Sequence, residues 1–153
     1  MKTAYMLFDS KSQEAFNTAQ LGAVLARDQE YLLPLRFDSN GADVLAYNAS
    51  SCETRAIQIK ARVTIHKRYC GKNLWIAFPH WIDDVQQDWY VVPHDVLVKL
   101  WGADKLKNGN GGQWSSTPPK GLLVKLIEYR VGSIVLGSGE AHILNSGIAV
   151  EQR

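Results

Sequence analysis

Asp38-Ser39-Asn40-Gly41 leads into Ala42-Asp43-Val44-Leu45-Ala46-Tyr47, and beyond a second polar cluster from Asn48 to Ser51 the chain runs Thr54-Arg55-Ala56-Ile57-Gln58-Ile59-Lys60-Ala61-Arg62-Val63. The first four residues are turn chemistry, because Asn and Gly adopt the backbone angles a tight reversal needs. The two runs that follow read as strands. In the second, Ile57, Ile59, Ala61 and Val63 alternate with Gln58, Lys60 and Arg62, the period of a strand with one apolar and one polar face. If the two runs pair as a hairpin, Asp43, Gln58 and Lys60 converge.

Working outward, the segment from Ser10 to Arg27 is expected to be a helix. Phe16, Ala19, Ala23 and Ala26 recur at helical spacing on a face of small residues. Ser10 and Gln13 have the spacing of a capping box, and Asp9 and Glu14 put negative charge where the helix dipole favours it. Tyr31 to Phe37 reads as an extended run, with Pro34 pointing to a sheet edge or a strand end. Downstream, Leu74-Trp75-Ile76-Ala77-Phe78 is continuously apolar, as in a strand covered on both faces. Trp89 to Pro93 reads as a further strand, His94 to Trp101 as a short helix and Leu122 to Tyr129 as another. Residues 102–119, rich in Gly, Asn, Ser and Pro, are expected to form an irregular flexible loop. The order suggests an α/β (α+β) fold with a mixed central β-sheet flanked by helices.

With 153 residues the chain fits one domain, 1–153. A content of 46% hydrophobic and 21% charged residues excludes a disordered tail or a collagen-like chain. A net charge of +2 excludes a histone-like polycation and leaves room for a local basic patch. Two cysteines make no disulfide framework, and no Cys-x-x-Cys pair offers a zinc site. No apolar run approaches a membrane span, and Met1 to Phe8 is too short and too early broken by Asp9 for a secretion signal. The expectation is a soluble cytoplasmic protein without a membrane partner, with Cys52 and Cys70 as free thiols.

The convergence of Asp43, Gln58 and Lys60 suits metal-dependent phosphodiester hydrolysis. A carboxylate, Asp43, holds a hard divalent cation through oxygen. The Gln58 amide and the Ile59 carbonyl supply further oxygens. The Lys60 ammonium orients or deprotonates the attacking water and offsets charge building on phosphorus. A plainer alternative stays open: Gln58 and Lys60 on a solvated strand face, with Asp43 closing the Asn40-Gly41 turn.

Gly41-Ala42-Asp43 followed by Ile57-Gln58-Ile59-Lys60 resembles the PD-(D/E)xK nuclease superfamily, the restriction-endonuclease-like fold. The Gln-x-Lys form is similar to that of Mrr-type endonucleases. The likeness covers about residues 10–101, and residues 120–153 form a C-terminal extension outside it. Ala42 stands where the motif usually has proline, and Gln58 where it usually has an acidic residue. The resemblance implies a Mg²⁺- or Mn²⁺-dependent endonuclease acting on DNA. In it Asp43, Gln58 and Lys60 are the catalytic residues, with Asp43, Gln58, Ile59 and Glu14 around the metal. Members of the fold often dimerise to cut both strands, so a homodimer is the assembly the resemblance allows. Gln58 in place of an acid motivates a different class of function, a catalytically inactive member of the fold serving as a nucleic-acid or protein interaction module.

Arg55, Lys60, Arg62, Lys67, Arg68 and Lys72 follow one another with no acidic residue between them. Arg62, Lys67, Arg68 and Lys72 are therefore expected to hold nucleic-acid phosphates, with binding that weakens in salt. Of the five tryptophans, Trp75, Trp89 and Trp101 are expected in the core, and Trp81 and Trp114 at the surface. His66, His80, His94 and His142 show no metal-ligand spacing and are expected as surface or capping residues.

Overall fold

The computed structural model describes residues 1–108, 110–136 and 141–144, with main chain alone at 38, 39, 108, 110 and 141–144. The expectations for the His142 side chain and for residues 145–153 lie outside the described residues. Helices α1 (Lys2–Met6) and α2 (Ser10–Ala26) precede a meander of β1 (Glu30–Ser39), β2 (Ala42–Asn48) and β3 (Thr54–Ile59). Then come β4 (Val63–His66), β5 (Leu74–Trp81), β6 (Gln86–Pro93), α3 (His94–Trp101), α4 (Asp104–Asn108), β7 (Gln113–Ser116), α5 (Lys120–Lys125), β8 (Arg130–Leu136) and β9 (Ala141–Leu144). The main sheet has the order β1-β2-β3-β5-β6-β8-β9, while β4 and β7 pair separately. Only β3 and β5 run parallel among the paired strands, so the sheet is mixed and the fold is α+β.

Both faces of the sheet carry a core, which accounts for the unbroken apolar run of β5. On one face Leu21, Val24 and Leu25 of α2 pack with Val44, Ala46, Ile57, Ile59, Ala77, Trp89 and Val91. On the other, Leu97 and Trp101 of α3 and Leu122 and Leu126 pack with Leu74, Ile76, Phe78, Tyr90 and Val92. Each of the fully buried large side chains contributes about 1.5–3 kcal/mol relative to exposure. Trp89 is wholly buried and Trp101 nearly so, whereas Trp75 and Trp81 are half-buried and Trp114 is exposed.

Helix α2 keeps its expected span but not its expected cap. Asp9 is the N-cap, accepting the Ser12 N–H at 2.8 Å. The Gln13 amide instead reaches back to the carbonyls of Tyr5 and Phe8, tying α1 to α2. Strand β1 lies at the sheet edge, and Pro34 pairs with Val44 there, where a missing N–H does least harm.

The strand expected from Thr54 to Val63 breaks. Alternation holds to Ile59; a bend at Ala61 and Arg62 then lifts the chain off the sheet. Ile57 and Ile59 belong to the α2-side core, but Val63 and Ile65 belong to the opposite one. The segment from 102 to 119 is not irregular throughout. It contains α4 and β7, and β7 finds its partner in the displaced β4, with Ile65 opposite Trp114. Strand β8, within the expected C-terminal extension, joins the main sheet beside β6. Among the described residues no helix is long and apolar enough to cross a membrane.

Candidate active site

Asn40 and Gly41 both have positive φ, 57° and 93°, and Ser39 pairs with Ala42 across them. Two consecutive residues of that kind make the tight hairpin turn that follows the twist of its strands. The turn sets where β2 starts, and therefore where Asp43 sits. Val44 and Ala46 face α2, so Asp43 projects from the opposite face of the sheet, as Gln58 does on β3 between the α2-facing Ile57 and Ile59.

Asp43 and Gln58 meet. The Gln58 Nε2 donates to Asp43 Oδ2 at 2.7 Å, and the Ile59 backbone N–H donates to the same oxygen at 2.8 Å. Gln58 is 7% exposed, so its amide orientation is fixed by partners rather than by water. On its other side Gln58 Oε1 accepts from the Tyr69 hydroxyl at 3.4 Å, and Tyr69 accepts from Arg68 Nη2 at 2.8 Å. The Arg68 guanidinium also lies 4.8 Å from the centre of the Tyr69 ring.

A cleft of about 250 Å³ is lined by Asp43, Gln58, Glu14, Arg36 and Arg68, with Leu35, Phe37 and Ala42 as its apolar part. A second hollow of about 250 Å³ shares Arg68 and adds Asn40, Gly41, Tyr69 and Lys72. Two carboxylates and an amide thus line a cleft that Arg36 and Arg68 also border. Oxygen donors of this kind fit Mg²⁺ or Mn²⁺. Asp43 and Glu14 would hold the ion, and Gln58 would join them with its amide turned so that Oε1 faces Asp43. Ile59 contributes its N–H, rather than its expected carbonyl, to the contact with Asp43.

Lys60 does not line the cleft. The strand ends at Ile59, so two-residue alternation no longer places the side chain beside Gln58. Its N–H bonds to the Ala77 carbonyl, and its half-buried side chain is near enough to His66 to help hold that imidazole below its ordinary pKa, after burial and Arg68. The basic stretch disperses likewise. Arg55 forms a two-pronged ion pair with Glu30, 2.7 Å at each bond, and lies over Trp75. Arg62 lines a different cavity, and Lys67 packs beside Gly112. Arg68 and Lys72 alone of the expected phosphate-binding residues border the Asp43 region. Arg36 and Tyr69 join the site unforeseen. An exposed arginine on an edge strand and a tyrosine in a short turn carry no sequence signal of their own.

A second titratable group lies nearby. The ligand atoms of Cys70, His94 and Asp95 fall within 4.8 Å of one another. His94, expected as a surface or capping residue, opens α3 but is 1% exposed. Its Nε2 accepts the His66 N–H at 3.0 Å and its Nδ1 faces Asp95 at 3.4 Å. Accepting at Nε2 puts the proton on Nδ1, so neither nitrogen has a lone pair to give a metal or the Cys70 thiol. This histidine braces β4 instead.

Burial, more than any neighbouring charge, holds the His94 pKa below its ordinary 6.5, against the opposing pull of Asp95. Burial likewise lowers His66 and His80. The folded state therefore binds fewer protons than the unfolded chain, so stability is complete above about pH 6.5 and declines as pH falls below it. Thermal melts between pH 7.5 and 5 are expected to show this loss. His94→Gln, which keeps an acceptor for the His66 N–H, should flatten the profile. An unchanged slope in that variant would show that His94 does not carry the effect.

No protein-family model, no curated protein and no solved structure matches this chain.

Proposed function

We propose that the cleft hydrolyses DNA phosphodiester bonds with the help of Mg²⁺ or Mn²⁺, in a protein of the restriction-endonuclease-like, PD-(D/E)xK kind. The observation that carries this reading is the contact between the Asp43 carboxylate and the Gln58 amide, in a cleft that also holds Glu14 and is rimmed by Arg68. The order α2, then the β1-β2-β3 meander, then β5 parallel to β3, supports it.

In that reading Asp43 and Glu14 anchor the metal, which supplies Lewis-acid stabilisation of charge on the phosphate. Arg68 and Lys72 hold the phosphate backbone on the turn side of the cleft, and Arg68 is itself held by the Tyr69 hydroxyl. Lys60 lies outside the cleft lining, one residue beyond the Ile59 N–H that grips Asp43, so in this reading it orients water only once its side chain turns toward the cleft. The two cations are separable by experiment. Lys60→Met should lower the cleavage rate roughly 10²–10³-fold, the scale of losing one stabilising donor, with DNA affinity little changed. Arg68→Ala should weaken DNA binding and reduce the salt slope by about one. A Lys60→Met enzyme with full rate would pass the water-orienting role to Arg68.

One observation favours the inactive interaction module. The Gln58 amide presents its nitrogen, not its oxygen, to Asp43, so one Asp43 oxygen is already satisfied by two N–H donors. The decisive experiment incubates supercoiled DNA with the protein in Mg²⁺, in Mn²⁺ and in EDTA, alongside calorimetric titration of each ion. Metal-dependent cleavage with ion binding lost in an Asp43 variant supports the nuclease. Salt-sensitive DNA retention with neither cleavage nor ion binding supports the module.

A further inference from the structure

A cavity of about 580 Å³ lies at the first turns of α2, where Gln13 lines it and Glu14, the next residue, lines the cleft. That volume falls in the range of small-molecule sites, about 300–1,000 Å³. The walls include Tyr5 of α1 and Trp81 at the end of β5, whose ring centroids are 5.5 Å apart. Lys2 and Arg62 supply cations, and among the described residues no acidic side chain lines the cavity. Arg62 stands on the bend just past Lys60, so the bend that takes the chain off the sheet also brings a cation to this wall.

The aromatic walls are backed by polar groups with unused capacity. Asn17 Nδ2 donates to the Tyr5 hydroxyl at 2.9 Å, which leaves the hydroxyl proton free to be donated. Asn17 Oδ1 and both amide atoms of Gln87 are buried without a hydrogen-bond partner among the described residues, and Gln87 is the register partner of Trp81. Aromatic faces, two cations and no acid together select a flat ring that carries an anionic group.

We propose that this cavity takes one unstacked nucleotide of the substrate strand beside the scissile bond, its base against the half-buried Trp81, which the buried Tyr5 ring packs against, and its phosphate against Arg62 and Lys2. The assignment of a scissile bond rests on the nuclease reading above; the nucleotide pocket does not require it. Because every base has a π-face, such a site tolerates sequence while requiring that a base be out of its stack. It would make the protein prefer frayed, mismatched or single-stranded DNA over intact duplex.

The test is a metal-free titration of the full chain with thymidine 5′-monophosphate, with thymidine and with inorganic phosphate, followed by calorimetry and by the indole N–H resonances. Saturable binding of the nucleotide is expected, at least about tenfold tighter than of phosphate, and weakened about tenfold or more in Trp81→Ala. Trp81→Phe keeps a stacking face and should lose only a few-fold, which covers the case in which the alanine variant does not fold. Arg62→Ala should weaken the nucleotide but not thymidine, and Asp43→Asn should change neither. A nucleotide bound no better than phosphate, or as well by Trp81→Ala as by the parent, would overturn the proposal. Should that happen while metal-dependent cleavage persists, the pocket falls and the nuclease stands. Nucleotide binding in a protein that cleaves nothing leaves the pocket standing and removes the nuclease.

Discussion

Asp43→Asn is expected to fold like the parent and to lose metal-dependent cleavage by about a thousandfold or more, on the order of 4 kcal/mol of transition-state stabilisation. The isostere separates charge from structure. In the parent one carboxylate oxygen takes both the Gln58 amide and the Ile59 N–H, and the asparagine oxygen can take the same two donors. What disappears is the negative charge that would anchor a divalent ion. Asp43→Ala removes both, leaving the Ile59 N–H and the nearly buried Gln58 amide without this acceptor. It should cost about 1–3 kcal/mol of stability as well. Cleavage assays and thermal melts of the two variants together make the comparison. An asparagine variant that cuts DNA at the parent rate would remove Asp43 from the chemistry.

Gly41→Ala is expected to have the largest effect on stability. A Cβ at this position would lie 2.3 Å from Tyr69 Cε1 and 2.9 Å from its Cδ1, on a backbone whose φ of +93° disfavours any L side chain. Tyr69 is 2% exposed and has nowhere to retreat without moving Arg68 and the hydroxyl that faces Gln58. Backbone strain and forced repacking together are on the order of 3 kcal/mol, which for a domain of this size lowers the melting temperature by about 5–15 °C. Gly71→Ala is the control. Its φ is +69° but, beyond its own chain neighbours, no atom of the described residues lies within 4 Å of the added carbon, so it should show the backbone cost alone. Equal losses in the two variants would mean that the close approach to Tyr69 does not matter. A well-folded Gly41→Ala protein with normal DNA binding would detach the turn from the site.

Five of the main sheet's seven strands and its main helix were legible because their signals are local. Helical spacing in α2, the Asn-Gly turn, Pro34 on an edge strand and the apolar run of β5 each follow from the chemistry of a few neighbouring residues. Asp43 and Gln58 could be brought together on the same ground, since a hairpin with strand alternation leaves their side chains few places to go. Lys60 shows the limit of that logic. The alternation that groups it with Gln58 stops at Ile59, one residue too soon, because the chain bends at Ala61 and Arg62 to feed β4 into the opposite core. The bend scatters the basic run among separate cavities, so charges that are neighbours along the chain are not neighbours in space. Residues 113–116 look irregular by composition, yet pair as a strand because displaced β4 offers an edge.

By itself, then, the amino-acid order determined a mixed α+β domain with a sheet covered on both faces, and it put a carboxylate and an amide on adjacent strands. Periodic burial enforces those features wherever the chain is placed. Only the tertiary structure decided which cations border the cleft, that His94 is buried as a brace for β4, and that an aromatic cavity opens beside Glu14. Each of these depends on where a strand leaves the sheet and which distant segment receives it, a long-range packing choice that no local pattern encodes.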